Sequence, residues 1–463
     1  RLIPSRMLEE WPGVAITPSA SYALSKGQSD RPEVHRSPSI PLFLYPDVQW
    51  AFPRVRDVID DAARFRPDVV HVATEFSLGL AYAVVNTLGT GNILGVVETL
   101  TDLAVEARAA RAQELARAEA RQSFDLAHGP LLRVKLLELG EAHHVLLLTM
   151  HHIVSDGWSM GVLVREVGAL YQAYAAGAES PLAELAIQYA DFAVWQRQWL
   201  QGEVLEGQLA YWRRQLGGEL PVLELATDRV RPAVQSQRGA LQELSLSAEL
   251  SGQLKELSRR EGVTLFMVLL AAWQTLLFRY TGQRDVVVGT DIANRNQGAT
   301  EGLIGFFINQ LVLRTDLSGE PSFVELLRRV REVCLGAYAH QDVPFEKLVE
   351  ELQPERNLSR SPLFQVKLVL QNTPLEALEL PGLKLRGLLG DSTTAQFDLT
   401  LSMLETGSEI HGVLLYNTDL FEAATIKRIV DHFQTLVLGL AVSPEEFVSK
   451  ISLLSEAERR QLV

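Results

Sequence analysis

The chain has 463 residues, of which 47% are hydrophobic and 22% are charged, so its size exceeds one average domain and its composition is that of a globular protein. The formal net charge of -14 disfavours nucleic-acid binding, which depends on clustered Lys and Arg. The single cysteine, Cys334, excludes an internal disulfide and a cysteine-rich metal site, and we interpret it as a small buried residue.

The sequence shows neither a secretory signal nor a membrane-spanning segment. No basic segment followed by an apolar stretch stands near Arg1, and no apolar run is long enough to span a bilayer. We therefore expect a cytoplasmic protein without a membrane or nucleic-acid partner, and the first residue, which is not Met, predicts a fragment.

The first predicted elements follow an irregular stretch that ends near Tyr45. A helical pattern covers about residues 52–65, and residues 69–73 form a short apolar run typical of a buried strand, which together predict an αβ unit. Residues 101–121 are rich in Ala, Arg and Glu with interspersed apolar positions, which predicts an amphipathic helix.

A hairpin and a second helix surround the most informative loop. Residues 131–139 and 144–150 read as strands around a turn at 140–142, and apolar residues then recur at helical spacing until Gly177. Further helices are predicted near 265–280, 322–338 and 345–352, and strands near 286–289, 309–314, 364–370 and 398–404. This mixture predicts an α+β or mixed α/β fold rather than a regular βαβ repeat.

The loop at residues 151–157 holds two histidines, a carboxylate and a glycine at a strand end. Adjacent side chains of an extended segment point to opposite faces, so at most one of His151 and His152 faces a given cleft. A neutral imidazole can accept a proton near neutral pH, as acyl transfer requires. Asp156 could hold a ring or an arginine in place, and Gly157 would permit a tight turn into the helix.

Two other interpretations of this loop need stating. A pair of adjacent histidines could bind a metal ion, but no second cluster of His, Cys or Asp at ligand spacing accompanies it. The pair could also be core histidines, with the aspartate capping the next helix. On residue types alone, this structural interpretation and catalysis are equally favoured.

The segment 151–159 resembles the His-His-x-x-x-Asp-Gly signature of condensation domains in nonribosomal peptide synthetases, a family related to chloramphenicol acetyltransferase. Further segments resemble that family in the same order, at residues 189–195, 304–309, 340–346 and 356–363. The resemblance covers roughly residues 98–463. It implies two acetyltransferase-like lobes that form a V, with a tunnel that admits carrier-bound phosphopantetheine thioesters from opposite ends.

The resemblance also assigns roles to the residues of the loop. His152 would face the tunnel centre and position the acceptor amine or take its proton, with His151 behind it. Asp156 would be structural and paired with an arginine, for which Arg295 is the candidate. The backbone amide of Gly157 could stabilise the oxyanion, because helix N-termini present unpaired donors. No metal and no dissociable cofactor are implied.

The remaining segments are interpreted less specifically. The aromatic residues of 189–195 are interpreted as structural. Asn309 and Gln341 either line the tunnel or are buried amides that satisfy backbone groups. Ser155, Gly157, Trp158 and Ser159 resemble the subgroup that joins an L-configured donor to an L-configured acceptor. Epimerisation domains share the histidine core but usually place Ser before Trp.

The amino-terminal part departs from the family. Neither the opening Ser-x-Ala-Gln motif nor the Arg-His-Glu-x-Leu-Arg motif precedes His151. Instead, residues 45–48, 52–54 and 65–75 resemble the first half of a retaining glycosyltransferase with two Rossmann-like lobes, and the join is expected near 89–102. The donor-sugar lobe is missing, so we predict no glycosyl transfer.

These observations predict a partial glycosyltransferase-like, Rossmann-like segment at 1–97, a truncated amino lobe at 98–220, a carboxy lobe at 221–450 and the start of a linker to an adenylation domain at 451–463. The predicted function is amide formation between two carrier-bound aminoacyl or peptidyl thioesters. The partners would be donor and acceptor carrier domains and an adenylation domain. The alternative is an inert remnant that only binds carrier or neighbouring synthetase domains.

Overall fold

The computed structural model describes residues 39–41, 49–51, 93–355, 357–371, 394–454 and 458–460. The predicted helix at 52–65 and the predicted strand at 69–73 lie outside these residues. The described strands are β1 (Ser39–Pro41), β2 (Gln49–Ala51), β3 (Ile93–Thr99), β4 (Leu132–Gly140), β5 (His143–Met150), β6 (Gly239–Leu246), β7 (Asp285–Ile292), β8 (Asn309–Asp316), β9 (Val366–Gln371), β10 (Leu399–Thr406) and β11 (Glu409–Asn417).

The described α-helices are α1 (Val105–Arg121), α2 (Gly157–Ala175), α3 (Tyr189–Trp199), α4 (Gly202–Leu216), α5 (Ala248–Glu261), α6 (Leu265–Thr281), α7 (Phe323–Ala339), α8 (Phe345–Leu352) and α9 (Ala423–Val442). Single 3-10 turns occur at His152–Val154 and Gly298–Thr300.

The chain divides into two compact units. The first contains the described residues up to Phe192 together with Arg295–Phe306, and the second contains Ala193–Asn294 and the described residues from Phe307 onward. The expected lobe boundary between 220 and 221 lies inside the second unit. The physical reason is α4, whose buried Trp212 and Leu216 belong to the large hydrophobic core of that unit.

The sheet of the first unit has the order β3-β4-β5. Strand β3 pairs parallel with β4, and β4 pairs antiparallel with β5, which confirms the predicted hairpin. Because side chains alternate along a strand, Leu132 and Val134 pack with α2, whereas Leu137 and Leu139 pack in the cluster of α1. The site loop leaves the end of β5 and enters α2.

The second unit contains a six-stranded sheet with the order β6-β11-β10-β9-β7-β8. Strand β9 is parallel to β10 and β7, and the other pairings are antiparallel. Helix α6 is buried along residues 267–277 in the core of this unit. Gly289 is required in β7, since a Cβ there would lie 2.1 Å from the Phe364 ring. The predicted mixed α/β class is confirmed.

Among the described residues, no single helix is both long and apolar enough to cross a bilayer. Helices α5 and α6 meet that criterion only as a pair, by length and composition, and they are bent by 105° at their junction.

Candidate active site

The turn after β5 is built around the backbone and ring of His151. Its N–H donates to the carbonyl of Leu131 at 2.9 Å, and its ring Nδ1 accepts the N–H of Ile153 at 3.0 Å. An imidazole nitrogen that accepts a hydrogen bond carries no proton, so a neutral His151 holds its proton on Nε2. The side chain thereby caps the 3-10 turn that begins at His152.

The two histidines have different surroundings. The ring of His151 is half-buried and packs edge to face against Phe124, with centroids 5.5 Å apart. The ring of His152 is exposed and packs edge to face against Phe306, with centroids 5.2 Å apart and planes at 87°. No hydrogen bond joins the ring nitrogens of His152 to any residue in the described part of the chain. Both nitrogens are therefore without a hydrogen-bond partner among the described residues.

Asp156 is buried at the start of α2. Its Oδ1 accepts the N–H of Ser159 at 2.8 Å, which caps the helix, and Nη2 of Arg295 donates to the same oxygen at 3.0 Å. The side chains of Asp156 and Arg295 are 2% and 1% exposed. Burial lowers the pKa of Arg295 below its usual range, and the neighbouring Asp156 opposes that shift. The carboxylate therefore serves as a structural anchor.

Ser159 is fully buried and links α2 to the segment Arg295–Phe306 of the same unit. Its hydroxyl lies 2.7 Å from Asp156 Oδ1, and it accepts hydrogen bonds from Arg295 Nη2 at 2.7 Å and from the Gly305 N–H at 3.1 Å. Sequence reasoning used Ser159 only as a subgroup marker. Its position inside the signature was the signal that could have pointed to this role.

Two further side chains hold the segment Arg295–Phe306, which contains the aromatic neighbour of His152. The indole N–H of Trp158 donates to the carbonyl of Glu301 at 2.9 Å, and the Tyr189 hydroxyl donates to the carbonyl of Phe306 at 2.8 Å. Burial raises the pKa of Tyr189, and the charge of Asp156 adds to the shift. Tyr189 was interpreted from the sequence as structural, and its hydroxyl holds the residue that packs on His152. The contribution of Phe306 was missed.

Gly157 is the first residue of α2. It is not among the glycines with positive φ, and a Cβ built on it would meet nothing within 4 Å. An alanine would therefore also have the space and the backbone angles that this position needs. Gly157 is exposed at the start of α2, where backbone N–H groups have no partner within the helix.

Asn309 and Gln341 lie together in the second unit. Nδ2 of Asn309 donates to the carbonyls of Gln341 and Val343 at 2.9 and 2.8 Å, and its Oδ1 accepts the N–H of Phe345 at 3.0 Å. Of the two interpretations made from the sequence, this arrangement corresponds to the one in which a buried amide satisfies backbone groups. Gln341 takes part through its backbone carbonyl.

Metal-ligating side chains are not clustered in the part of the chain that the structure describes. No group of three or more His, Cys, Asp or Glu residues there could hold a metal ion.

The family of the chain follows from comparison with known proteins. The Condensation domain model matches residues 95–463, and the chain belongs to this family. The Glycosyltransferase Family 4 model matches residues 14–99. Both resemblances inferred from the sequence, to condensation domains and to glycosyltransferases, are confirmed. The two matches overlap at residues 95–99, inside the range 89–102 where the two parts were expected to join.

Similar proteins include two large synthetases and a solved domain. A linear gramicidin synthase protein of Brevibacillus parabrevis is 50% identical over 397 residues, which cover 85% of this chain and 5% of that protein. Malpinin synthetase of Mortierella alpina is 48% identical over 345 residues, 74% of this chain and 4% of that protein. The chain thus spans less than a tenth of these relatives.

The solved domain has a similar fold. The crystal structure of the X-domain from teicoplanin biosynthesis is 32% identical, with a TM-score of 0.70, over 78% of this chain and 81% of that one.

Proposed function

We propose that this chain joins two acyl units through an amide bond, each unit being carried as a thioester on the phosphopantetheine arm of a carrier protein. The observation that carries this proposal is His152, an exposed imidazole on a capped turn whose ring nitrogens have no hydrogen-bond partner among the described residues. Membership in the condensation domain family and similarity to linear gramicidin synthase and malpinin synthetase support the same chemistry.

The reaction transfers the donor acyl group from sulfur to nitrogen. The amine of the acceptor attacks the carbonyl carbon of the donor thioester, so that a C–N bond forms and the C–S bond breaks, releasing the donor carrier as a thiol. His152 takes or directs the proton that the amine loses, and this proton is finally delivered to the leaving sulfur. The open N–H of Gly157 at the start of α2 stabilises the negative charge on the thioester oxygen.

The configuration of the two substrates and the identity of the partners are inferred from the resemblance of residues 151–159 to the condensation-domain signature. Ser155, Gly157, Trp158 and Ser159 favour an L-configured donor and an L-configured acceptor. The partners would be two carrier domains and an adenylation domain in a cytoplasmic assembly line, and the chain would need no metal and no cofactor of its own. An inert remnant that only binds carriers is the second outcome of the test, and the synthase relatives favour the enzyme.

The first test mixes the chain with an aminoacyl-loaded donor carrier and an aminoacyl-loaded acceptor carrier. Intact-protein mass spectrometry should detect the dipeptidyl acceptor carrier. The variant His152→Ala should lower the rate by about 100-fold or more, because a positioned acid-base group contributes about 10²–10⁴-fold.

The matched control is His143→Ala, which removes an exposed histidine at the opposite end of β5 and should keep the parent rate. If the parent makes no product while a complete condensation domain works in parallel, the proposal fails and the inert alternative stands.

A further inference from the structure

Arg133 is a buried cation that the proposed reaction does not use. It lies on β4 and is 5% exposed. Its Nη2 donates to the carbonyls of Glu119 and Gln122 at 3.2 and 3.0 Å, and its Nε pairs with the Glu119 carboxylate. The guanidinium therefore satisfies backbone carbonyls at the end of α1, where an α-helix leaves such groups without partners.

The charge of this cation is compensated within the same unit. Glu119 is 2% exposed, and Lys135 Nζ also lies 2.6 Å from its carboxylate. Burial acts to raise the pKa of Glu119, but the hydrogen bonds from Lys135 and Arg133 outweigh it and leave the pKa below its usual range. A buried ion pair with several hydrogen bonds is a rigid support for whatever packs on it.

Phe124 packs on this support. The Cζ atom of Arg133 lies 3.8 Å from the centroid of the Phe124 ring, within cation–π range, and the Phe124 ring meets the imidazole of His151 edge to face. Arg133, Phe124 and His151 thus form a continuous stack that runs from the end of α1 to the signature loop.

The His151 ring contacts both this stack and the signature turn. Its Nδ1 accepts the Ile153 N–H only in the observed ring orientation, and this bond closes the turn that presents His152. We propose that Arg133 and Phe124 are positioning residues that fix the His151 ring and, through the turn, the proton-handling imidazole of His152. The effect on rate rests on the proposed function, whereas the effect on the His151 ring does not.

The test compares Arg133→Met and Phe124→Leu with Arg108→Met. Arg108 is a fair control because it also donates to three backbone carbonyls in the first unit, those of Leu103, Thr101 and Leu139, at 2.7–2.9 Å. Phe124→Leu leaves the Arg133–Glu119 pair intact, so it keeps the test decisive should Arg133→Met fold poorly.

The first readout is the ¹⁵N NMR spectrum of the imidazoles, which distinguishes the tautomers. The parent and Arg108→Met should show His151 as a single Nε2–H tautomer. Phe124→Leu and Arg133→Met should show a mixture, because the ring is free to turn. A single unchanged Nε2–H tautomer in Phe124→Leu would overturn the proposal whether or not the chain forms amides.

The second readout is the rate of dipeptidyl-carrier formation. Phe124→Leu should lower kcat by about tenfold or more with the KM for both carriers unchanged, and Phe124→Tyr, which keeps the ring, should restore it. A rate for Phe124→Leu equal to that of Arg108→Met would show that the stack is only structural.

Discussion

The buried pair of Asp156 and Arg295 should be the most costly single contact of the loop to break. In Arg295→Met the carboxylate of Asp156 stays buried without its cation, so we expect the free energy of unfolding of the first unit to fall by about 3–5 kcal/mol. Urea denaturation followed by circular dichroism measures the loss.

The control for this pair is Arg259→Met, which breaks an exposed pair with Glu256 on α5. Exposed ion pairs contribute about 0–1 kcal/mol, so its transition should stay close to that of the parent. Equal losses for the two variants would show that the Asp156 carboxylate does not depend on its arginine.

At the residue scale, the sequence predicted that one of two adjacent histidines faces a cleft, but the residues alone left open which one and for what purpose. The structure distinguishes them by neighbours, Phe124 beside His151 and Phe306 beside His152. The roles of Phe306 and Ser159 were not predicted. The Ser159–Gly305 contact joins positions 146 residues apart, so the only sequence signal for it was the place of Ser159 inside the signature.

At the scale of elements, α2 contains an acid that should couple its stability to pH. Burial raises the pKa of Glu166 to about 7, although Arg165 acts to lower it. Between pH 4.5 and 7, the folded protein therefore holds this carboxyl protonated, whereas the unfolded chain, with its ordinary pKa of 4.5, does not. A raised folded-state pKa contributes stability that is complete below pH 4.5 and is lost as pH rises through 7.

Between pH 5 and pH 8, the free energy of unfolding of Glu166→Gln should therefore rise by about 1–3 kcal/mol relative to that of the parent. One pKa unit corresponds to about 1.4 kcal/mol, and partial exposure reduces the effect. Urea midpoints at both pH values measure it. A stability difference between Glu166→Gln and the parent that stays the same at both pH values would refute the assignment.

Some predicted elements match the structure closely, whereas other elements, including helices α5 and α9, received no prediction. The predicted helix at 345–352 matches α8 in both bounds, and the hairpin around Gly140 is shifted by about one residue. Strands β6 and β11 received no prediction. Strand β6 is an edge strand whose burial is only partial over most of its length, so its alternation of apolar and polar residues is short.

At the scale of the whole molecule, the family followed from ordered motifs and the mixed α/β class from the mixture of predicted elements. The division of the chain into two units followed from neither. The segment Arg295–Phe306 joins the first unit although the sequence on both sides of it belongs to the second. The contacts responsible, Arg295 with Asp156 and Ser159 with Gly305, are long-range and are formed only after folding. The predicted lobe boundary between 220 and 221 came from a linear reading of the chain, which does not include such contacts.

The overlap of the two family matches falls on a structural element. Strand β3 pairs with β4 along seven positions, from Ile93 with Leu132 to Thr99 with Glu138, and the buried Leu100 donates its N–H to the Glu138 carbonyl at 2.8 Å. The condensation match begins at residue 95, so the first residues of β3 lie only within the glycosyltransferase match, which ends at 99. The glycosyltransferase-like segment thus supplies part of the sheet that carries the site.

A chain that begins at Gly91 should consequently keep slow hydrogen exchange along β4, whereas a chain that begins at Thr101 should lose it, because the β4 amides and carbonyls that face β3 lose their partners. Hydrogen exchange followed by mass spectrometry measures both chains, and β8 in the second unit serves as the internal reference. If β4 is equally protected in the two chains, the first unit folds without β3, and the glycosyltransferase-like residues contribute nothing to the site.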